Sequence, residues 1–428
     1  FAHFIPGHSN AVGSEGVSYI DDFEGTKSTI DLRSSSFWFL SSTPQFQTDL
    51  FPESSYTGKT NSIYSGFNRA KIAWYVIDPS VFYDRNGNLK PANVSNDELS
   101  NNFVRQVLEE EVFPNKELAN GTPTNIGVFN VAFYPEEKGP YNYDAQGLAG
   151  LSSGINEDGT LRDPETRWGG IMREIETPDF EAANIEYIEF WVMDPFAEGT
   201  INTGNTGGDL YINIGDISED ILKDSRKSYE HGLPVSATFQ ESEIKRSVWG
   251  RTPNKLDLVQ SFSSTPGARE FQDVGYDGLR NADERTYFSS ASEYDSAYYY
   301  LDRISQLYGE GSAAYLDANG DPSGDDYHNF RGEDYDNDPA YGSVLKRYKE
   351  YNGVDGNSPE NEGVGVYDGN SRQPNAEDLN DDNTLNEGER YFQYKISLRP
   401  NNMVVGENFI SDVQVAGGIQ LANGGGNR

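Results

Sequence analysis

The chain of 428 residues is long enough for one large domain with insertions or for two to three average domains, but only 35% of its residues are hydrophobic, which favours one modest core with long surface segments. Its formal net charge of −36 would repel nucleic acid and anionic membrane surfaces, which excludes both as partners, and would concentrate cations such as Ca²⁺. The absence of Cys excludes disulfides, thiolate metal sites and a cysteine nucleophile, and the four dispersed His disfavour zinc catalysis.

Alternation of apolar and polar side chains predicts β-strands in the first half of the chain, because every second residue of a strand faces the same side of a sheet. The 27 Tyr, 23 Phe and 44 Gly agree with a β protein that is rich in turns. The predicted strands are 17–23, 28–33, 71–78, 126–134 and 167–176. In 126–134, the alternation places Phe129, Val131 and Phe133 on one buried face.

Three further strands are predicted downstream. Residues 184–194 carry apolar side chains on both faces, and we expect them to form a central strand that is covered on both sides. Residues 208–216 and 391–398 each carry one apolar row that alternates with other side chains. Widely spaced strands joined by turns, without a helix between each pair, favour an antiparallel sandwich.

Short helices are predicted at three places. A capping-box sequence begins a helix over 95–113, in which apolar residues line one face. Residues 294–308 and 340–352 also have helical spacing of apolar side chains, and a glycine follows each of them, as is common after a helix.

The stretch 217–390 differs from its surroundings, because it is rich in Asp, Asn, Gly and Tyr and shows little alternation. Long connections in compact proteins usually carry function or bind a partner. We therefore predict a mainly β fold, an antiparallel β-sandwich with a long, acidic, partly helical insertion. The sandwich would comprise 1–216 and 391–428, with a helical excursion at 95–113, and the insertion would comprise 217–390.

An acidic segment of twelve residues, 378–389, has the spacing of a calcium-binding loop. Oxygen-bearing side chains fall at its positions 1, 3, 5, 9 and 12, and the residue at position 7 can offer its carbonyl. Position 6 is Asn383, a residue type that adopts positive φ more readily than most. A strand follows instead of a helix, so the loop would be isolated, and an acidic turn without metal is the alternative. The predicted Ca²⁺ ligands are Asp378, Asn380, Asp382, Thr384, Asn386 and Glu389.

A second acidic segment, 317–326, repeats the early part of this spacing, with Asp317 first and Asp325 ninth. It has Pro322 at position 6 and His328 at the position of the bidentate glutamate, so a solvated loop is favoured over a calcium site. The turn around Asn86 is a weaker candidate, since its Asn-Gly pair is explained by a hairpin.

No sequence motif indicates catalysis. The chain lacks a Gly-x-Ser-x-Gly motif, a phosphate-binding loop and a dinucleotide fingerprint. Among its 69 acidic residues, no pair stands out as the two carboxylates of a glycosidase. A sugar-stacking platform is conceivable from Trp38, Trp74, Trp168, Trp191 and Trp249, but Trp in strands belongs more often to the core. We therefore predict that the chain is not an enzyme.

Three separated blocks carry a resemblance to a known family. They are 19–25 (YIDDFEG), 167–196 (from RWGGIMR to DPF) and 377–392 (from EDLN through TLN to YF). In their order and spacing they resemble the SprA/Sov family over nearly the whole chain. The first block, together with 185–192 and 210–216, also resembles strands of galactose-binding-like jelly rolls.

The resemblance implies a soluble portion of the giant outer-membrane translocon of type IX secretion in Bacteroidota. SprA-like proteins are very large β-barrels that deliver folded cargo, including gliding-motility adhesins, to the cell surface. By the same resemblance, the partners would be the rest of the parent barrel, a PorV-like shuttle protein, a plug protein and the secreted cargo. The chain has no run of the ~18 apolar residues that a membrane helix needs, and its ends suggest a piece of something longer.

Two other functions stay open. One is a secreted carbohydrate-binding jelly-roll module, which would present two or three coplanar exposed aromatic rings. The other is a calcium-dependent surface adhesin, which would repeat its calcium loops regularly. The sequence has one well-spaced loop, one degenerate loop and no repeat of 20–50 residues, which favours the translocon over both.

Overall fold

The computed structural model describes residues 29–56, 62–83, 90–196, 205–255, 259–289, 299–351, 373–417, 419 and 421–424, together with two strands before residue 29. Strands in the described part are short, with the longest at nine residues. They are β1 His3–Gly7, β2 Val17–Asp21, β3 Phe39–Leu40, β4 Ala70–Tyr75, β5 Val107–Leu108, β6 Asn125–Ile126, β7 Asn130–Lys138, β8 Ile171–Met172, β9 Gly208–Asp216, β10 Ile244–Arg246, β11 Arg251–Pro253 and β12 Arg390–Leu398.

The helices of the described part are also short, and none of them is long and apolar enough to cross a membrane. The α-helices are α1 Pro79–Phe82, α2 Glu109–Val112, α3 Arg269–Gln272, α4 Asn281–Tyr287, α5 Tyr300–Tyr308, α6 Ala313–Gly320, α7 Glu333–Asn337 and α8 Val344–Lys349. Single 3₁₀ turns occur at Ser35–Phe37, Pro52–Tyr56, Ile63–Gly66, Glu98–Ser100, Pro164–Thr166, Glu230–Gly232, Glu241–Glu243, Pro339–Gly342 and Pro400–Asn402.

Across the described ranges, the strands pair two by two and always antiparallel. The pairs are β1 with β2, β3 with β8, β4 with β7, β5 with β6, β9 with β12, and β10 with β11. A sandwich consists of two multi-stranded sheets that pack face to face. The described strands form two-stranded sheets, and the jelly-roll sandwich expected from the sequence stays a prediction.

β4 lies between two buried clusters. Its residues Ala70, Ile72 and Trp74 belong to the larger cluster, while Ala73 and Tyr75 belong to a smaller one. Because successive side chains of a strand point to opposite faces, β4 is covered on both sides. The sequence analysis predicted a strand here, at 71–78, but expected two-sided burial elsewhere.

The larger cluster joins two distant parts of the chain. It contains side chains between Leu40 and Leu161 and others between Ile221 and Ala318, which come from the stretch predicted as an insertion. Arg69 links the same two parts, because its buried guanidinium donates hydrogen bonds to the carbonyl oxygens of Pro140 (3.2 Å) and Ile221 (3.2 Å). The first half and the 217–390 stretch thus share a core, and the predicted domain division stays a prediction.

β9 and β12 form a continuous nine-residue ladder, from Asp216 opposite Arg390 to Gly208 opposite Leu398. The strands predicted at 208–216 and 391–398 are thereby confirmed. The chain leaves this ribbon at 216 and returns to it at 390, so the whole intervening stretch connects two neighbouring strands.

Residues 184–194 form no strand, and the prediction of a central strand covered on both sides is wrong. Tyr187 is 81% exposed and Trp191 is 41% exposed. Alternation describes which faces side chains take, but a strand is stabilised by a hydrogen-bonded neighbour and by side chains packed across it. No described strand pairs with this segment.

Three other strand predictions need correction. Residues 29–33 form no strand, and within 167–176 only the two residues of β8 do. The strand predicted at 126–134 is divided between β6 and β7, which pair with different partners. Val131 and Phe133, expected on a buried face, are 51% and 43% exposed, whereas their partners on β4, Trp74 and Ile72, are the residues packed in the larger cluster.

The helix predicted over 95–113 does not form as one element, and its only α-helical residues are the four of α2, Glu109–Val112. Ser95 Oγ accepts the N–H of Glu98 at 3.0 Å, as a capping residue does, but the 3₁₀ turn ends at Asn101. Asn101 Oδ1 accepts the N–H of Phe103 at 3.1 Å, a local bond that competes with helix continuation. Val107 and Leu108 then form β5, which pairs with β6, so the backbone is extended here instead of helical.

The other two predicted helices are confirmed in part, the first over its last nine residues and the second over its central six. Within 294–308, α5 covers Tyr300–Tyr308 and is followed by Gly309 at φ +84°. Within 340–352, α8 covers Val344–Lys349. Residues 294–298 and 352 lie outside the described residues.

Candidate metal loops and an exposed apolar face

The side chains in the middle of the predicted calcium loop hydrogen-bond mainly to their own turn. Asn380 Oδ1 accepts the N–H of Asp382 (3.1 Å), and Asp382 Oδ1 accepts both the N–H (2.7 Å) and the hydroxyl (2.6 Å) of Thr384. Asn386 donates to Asp382 Oδ2 at 3.3 Å. These bonds, with that of the Thr384 hydroxyl first, lower the pKa of Asp382. Asn383 adopts φ +65°, as its position in the loop predicted.

The carboxylates at the two ends of the loop face lysines. Asp378 Oδ2 forms an ion pair with Lys227, and its Oδ1 is buried without a hydrogen-bond partner among the described residues. Glu389 Oε1 lies 3.0 Å from Lys223 Nζ, with both side chains at most 2% exposed, and Oε2 accepts the N–H of Gln45 (2.7 Å). The structure thus gathers 380–386 into one turn and directs both end carboxylates to ammonium groups. The calcium site at 378–389 stays a prediction.

Two buried glutamates that the sequence analysis missed attach this loop to the segment after β9. Glu377 accepts the backbone N–H groups of Ile221 (2.7 Å) and Ser228 (2.8 Å), and burial raises the pKa of its carboxyl well above the usual value. Glu219 accepts the backbone N–H of Asn386 at 3.1 Å. A glutamate whose partners are distant backbone amides leaves no local pattern in the sequence.

The second acidic segment is not arranged as a calcium-binding loop. Asp317 lies inside helix α6, and the turn begins at Asp321, whose Oδ1 accepts the N–H of Gly324 at 2.7 Å. His328 points away, because its Nε2 lies 2.8 Å from Asp334 Oδ2. The helix prevents the first four residues from wrapping around an ion, which is the physical reason that the spacing there does not become a loop.

The tryptophans contribute chiefly to packing. Trp74 and Trp249 are each 1% exposed, Trp38 stacks on Phe129 with ring centroids 5.6 Å apart, and Trp168 donates to a buried glutamate. The expectation that Trp serves the core is confirmed for Trp74 and Trp249. A buried ring cannot stack on a sugar, so these residues give no support to the carbohydrate-binding alternative.

One face of the β9–β12 ribbon is apolar, and its aromatic side chains are exposed. Ile214 lies opposite Phe392 and Ile212 lies opposite Tyr394, so the four side chains share one face, called here the apolar ribbon face. Phe392 is 75% exposed and Tyr394 is 44% exposed. Phe409 contacts Tyr394 edge-on at 6.4 Å, but its own ring is also largely exposed.

The opposite face of the ribbon is anchored by polar contacts. Gln47 Nε2 donates to the hydroxyl of Tyr391 (2.5 Å), and Gln393 Nε2 donates to Gln47 Oε1 (3.1 Å). The ribbon therefore has one side held to the rest of the protein and one side available for contact.

Residues 299–422 match the family model SprA_N, which is described as a motility related/secretion protein. The matched part extends from the residue before α5 past β12, and it includes the 378–389 loop and one strand of the apolar ribbon face. A comparison with curated proteins found no match for the chain. The family match supports the resemblance to SprA-like proteins at the level of a motility- or secretion-related function.

Proposed function

We propose that this chain is a non-catalytic portion of an outer-membrane translocon of type IX secretion, the machinery that exports cargo to the cell surface and supports gliding motility. The observation that carries the proposal is the SprA_N match over 299–422. The blocks at 19–25 and 167–196, which lie before the matched part, support an extension of the same relationship toward the start of the chain.

The proposed mode of action is non-covalent contact through the apolar ribbon face. Exposed apolar patches on folded proteins commonly mark contact sites. A two-stranded ribbon is marginally stable on its own in water, so its apolar side needs lasting cover. We therefore assign the rest of the parent translocon as the occupant. A shuttle protein, a plug protein and cargo are the alternative occupants.

Support for a non-catalytic role comes from the side chains that the chain offers. It has no Cys, and the sequence contains no nucleophile motif. A calcium ion at 378–389 and a jelly-roll arrangement of the strands belong to the same proposal as structural features. Both serve shape and contact instead of substrate turnover.

The proposal can be tested in a secretion-competent bacterium that carries the parent gene. Phe392→Ser combined with Tyr394→Ser removes the two most exposed aromatic rings of the apolar ribbon face. Phe46→Ser is the matched control, because Phe46 is 83% exposed and lies outside the family match. Cargo at the cell surface and the amount of parent protein in the outer membrane are measured separately.

We expect the double variant to lower surface cargo or assembly of the parent translocon, while Phe46→Ser leaves both unchanged. Loss of assembly points to the parent barrel as occupant, and loss of cargo from an assembled translocon points to a shuttle or cargo. Normal cargo delivery by the double variant would contradict contact through this face.

A further inference from the structure

Three carboxyl groups meet where helix α4 lies beside the turn that follows α6. Glu284, Asp321 and Asp325 each present one oxygen, and these oxygens lie within 4.8 Å of one another. No other group of three or more carboxylate or imidazole ligand atoms comes so close in the part of the chain that the structure describes. The cluster is assembled from segments far apart in sequence.

Two of these carboxyls have an oxygen without a partner. Glu284 Oε2 accepts the backbone N–H of Ser323 (2.9 Å), and Asp325 Oδ2 accepts the hydroxyl of Tyr141 (3.0 Å). Their other oxygens, Oε1 of Glu284 and Oδ1 of Asp325, are buried and have no hydrogen-bond partner among the described residues. The two residues are 0% and 2% exposed. Buried acceptors are normally satisfied, so each of these oxygens calls for a ligand.

The negative charge of the cluster is poorly compensated. A fourth carboxyl, that of Asp277, is also buried here, at 1% exposed, and its Oδ2 accepts the hydroxyl of Ser323, the residue whose N–H Glu284 accepts. Lys138 is attracted by the cluster, but its ammonium donates to the carbonyl of Pro322. A single ammonium cannot neutralise three or four carboxylates.

The turn that holds two of the three ligands is already fixed in shape. Asp321 accepts the backbone N–H groups of Gly324 (2.7 Å), Asp325 (3.3 Å) and Asp326 (3.2 Å). Glu284 is fixed from the other side, since it lies on α4 and accepts the N–H of Ser323. An ion entering the cluster would meet ligands that require little rearrangement.

The chemistry of the oxygens selects the kind of ion. All three ligands are carboxylates, which favour hard cations over zinc or copper. Three oxygens within 4.8 Å of one another lie at most about 2.8 Å from a common centre, which is close to the ~2.3–2.6 Å bonds of Ca²⁺ and farther from the ~2.1 Å bonds of Mg²⁺. We propose that Glu284, Asp321 and Asp325 bind one Ca²⁺ ion that holds α4 to the turn after α6. This inference is independent of the proposed secretion function.

The test uses the 428-residue chain after EGTA treatment, titrated with CaCl₂ by calorimetry and weighed by native mass spectrometry. Glu284→Gln and Asp325→Asn each replace a carboxylate but can retain the described hydrogen bond to the other oxygen. Glu230→Gln is the matched control. Glu230 is 1% exposed, but both of its oxygens already accept backbone N–H groups, from Val274 and Gly275 on one side and Asn375 on the other.

We expect Glu284→Gln and Asp325→Asn to lose one bound Ca²⁺, or to bind it roughly tenfold or more weakly, which is a typical loss even for residues of the outer ligand shell. Glu230→Gln should bind calcium as the unmodified chain does. Unchanged stoichiometry and affinity in the first two variants would overturn the proposal, and so would equal affinity for Mg²⁺.

Hydrogen exchange on the unmodified chain covers the case in which a variant fails to fold. Calcium should slow exchange of the backbone N–H groups of 323–326, because the turn is tied to α4 through the ion. Protection absent from this turn, or confined to 378–389, would also overturn the proposal.

Discussion

Two acidic regions of the molecule, the 378–389 loop and the carboxyl cluster beside α4, both depart from what their sequences suggest, and they do so in opposite directions. The 378–389 loop has the ligand spacing of a calcium site, yet its end carboxylates, Asp378 and Glu389, face Lys227 and Lys223. The region around α4 draws on 317–326, whose spacing is degenerate, yet it brings Asp321 and Asp325 against Glu284, which lies outside that segment. Spacing along the chain describes what one loop can offer, whereas a site built from separate segments depends on tertiary packing.

Charge compensation is the physical difference between the regions. The lysines neutralise the end carboxylates of the loop, and backbone amides and the Thr384 hydroxyl satisfy most of the remaining oxygens. In the α4 region, two buried oxygens have no partner among the described residues, compared with one, Asp378 Oδ1, in the loop. The first region is thus largely satisfied by the protein itself, and the second is completed by a cation.

The largest expected effect comes from Glu389→Gln. The change leaves the ammonium of Lys223 buried without its charged partner, and breaking a buried ion pair from one side costs about 3–5 kcal/mol. Unfolding by urea should show this loss in EGTA, where the ion pair acts alone, and the same measurement is repeated with calcium. Glu387→Gln, at an exposed position in the same loop, is the control and should change stability little. A loss seen only with calcium present would identify Glu389 as a calcium ligand instead of an ion-pair partner.

The pH dependence of stability is expected to reverse the usual direction for acidic groups. Burial raises the pKa values of Asp277 and Asp224 to about 7, above the ~4 of carboxyls in an unfolded chain. Between about pH 4 and pH 7, Asp277 and Asp224 therefore keep their protons in the folded state, whereas they have released them in the unfolded state. The calcium-free protein should therefore lose stability as pH rises from about 4 through about 7.

Calcium should offset this loss at pH 8. A free Ca²⁺ concentration of a hundred times Kd raises the free energy of unfolding by about 2.7 kcal/mol. Thermal melting across this pH range, in EGTA and in CaCl₂, measures both effects. The gap between the two conditions should narrow in Glu284→Gln and persist in Glu230→Gln. A melting temperature that rises with pH in EGTA would contradict the described charge distribution.

The smallest effect is expected from Asp382→Ala, because Asp382 is exposed and its hydrogen bonds to described residues lie within its own loop. If the 378–389 loop binds calcium, this variant removes part of the calcium-dependent rise in melting temperature that Glu284→Gln leaves in place. An identical calcium response in Asp382→Ala and in the unmodified chain would contradict a calcium site at the loop. The whole response would then belong to the α4 region.

Local sequence signals determined several elements of the structure. The alternation in 208–216 and 391–398 was sufficient to predict β9 and β12, and helical spacing before a glycine predicted α5. The conformation of Asn383 also followed from its position in the loop. In each case the deciding interactions lie within one turn or one strand, so a short window of sequence contains them.

Tertiary structure decided which segments are covered and which carboxyls meet. Residues 184–194 carry apolar side chains on both faces and were predicted to be the covered strand, but β4 is the strand that lies between two clusters. Glu284 gave no signal in the sequence, because its neighbours in the site belong to a turn that folds against it only when α4 and α6 pack. Burial and convergence depend on residues far away along the chain. That is why composition and spacing determined the acidic, turn-rich character of the protein, and only the packing of distant segments decided where its charges are neutralised.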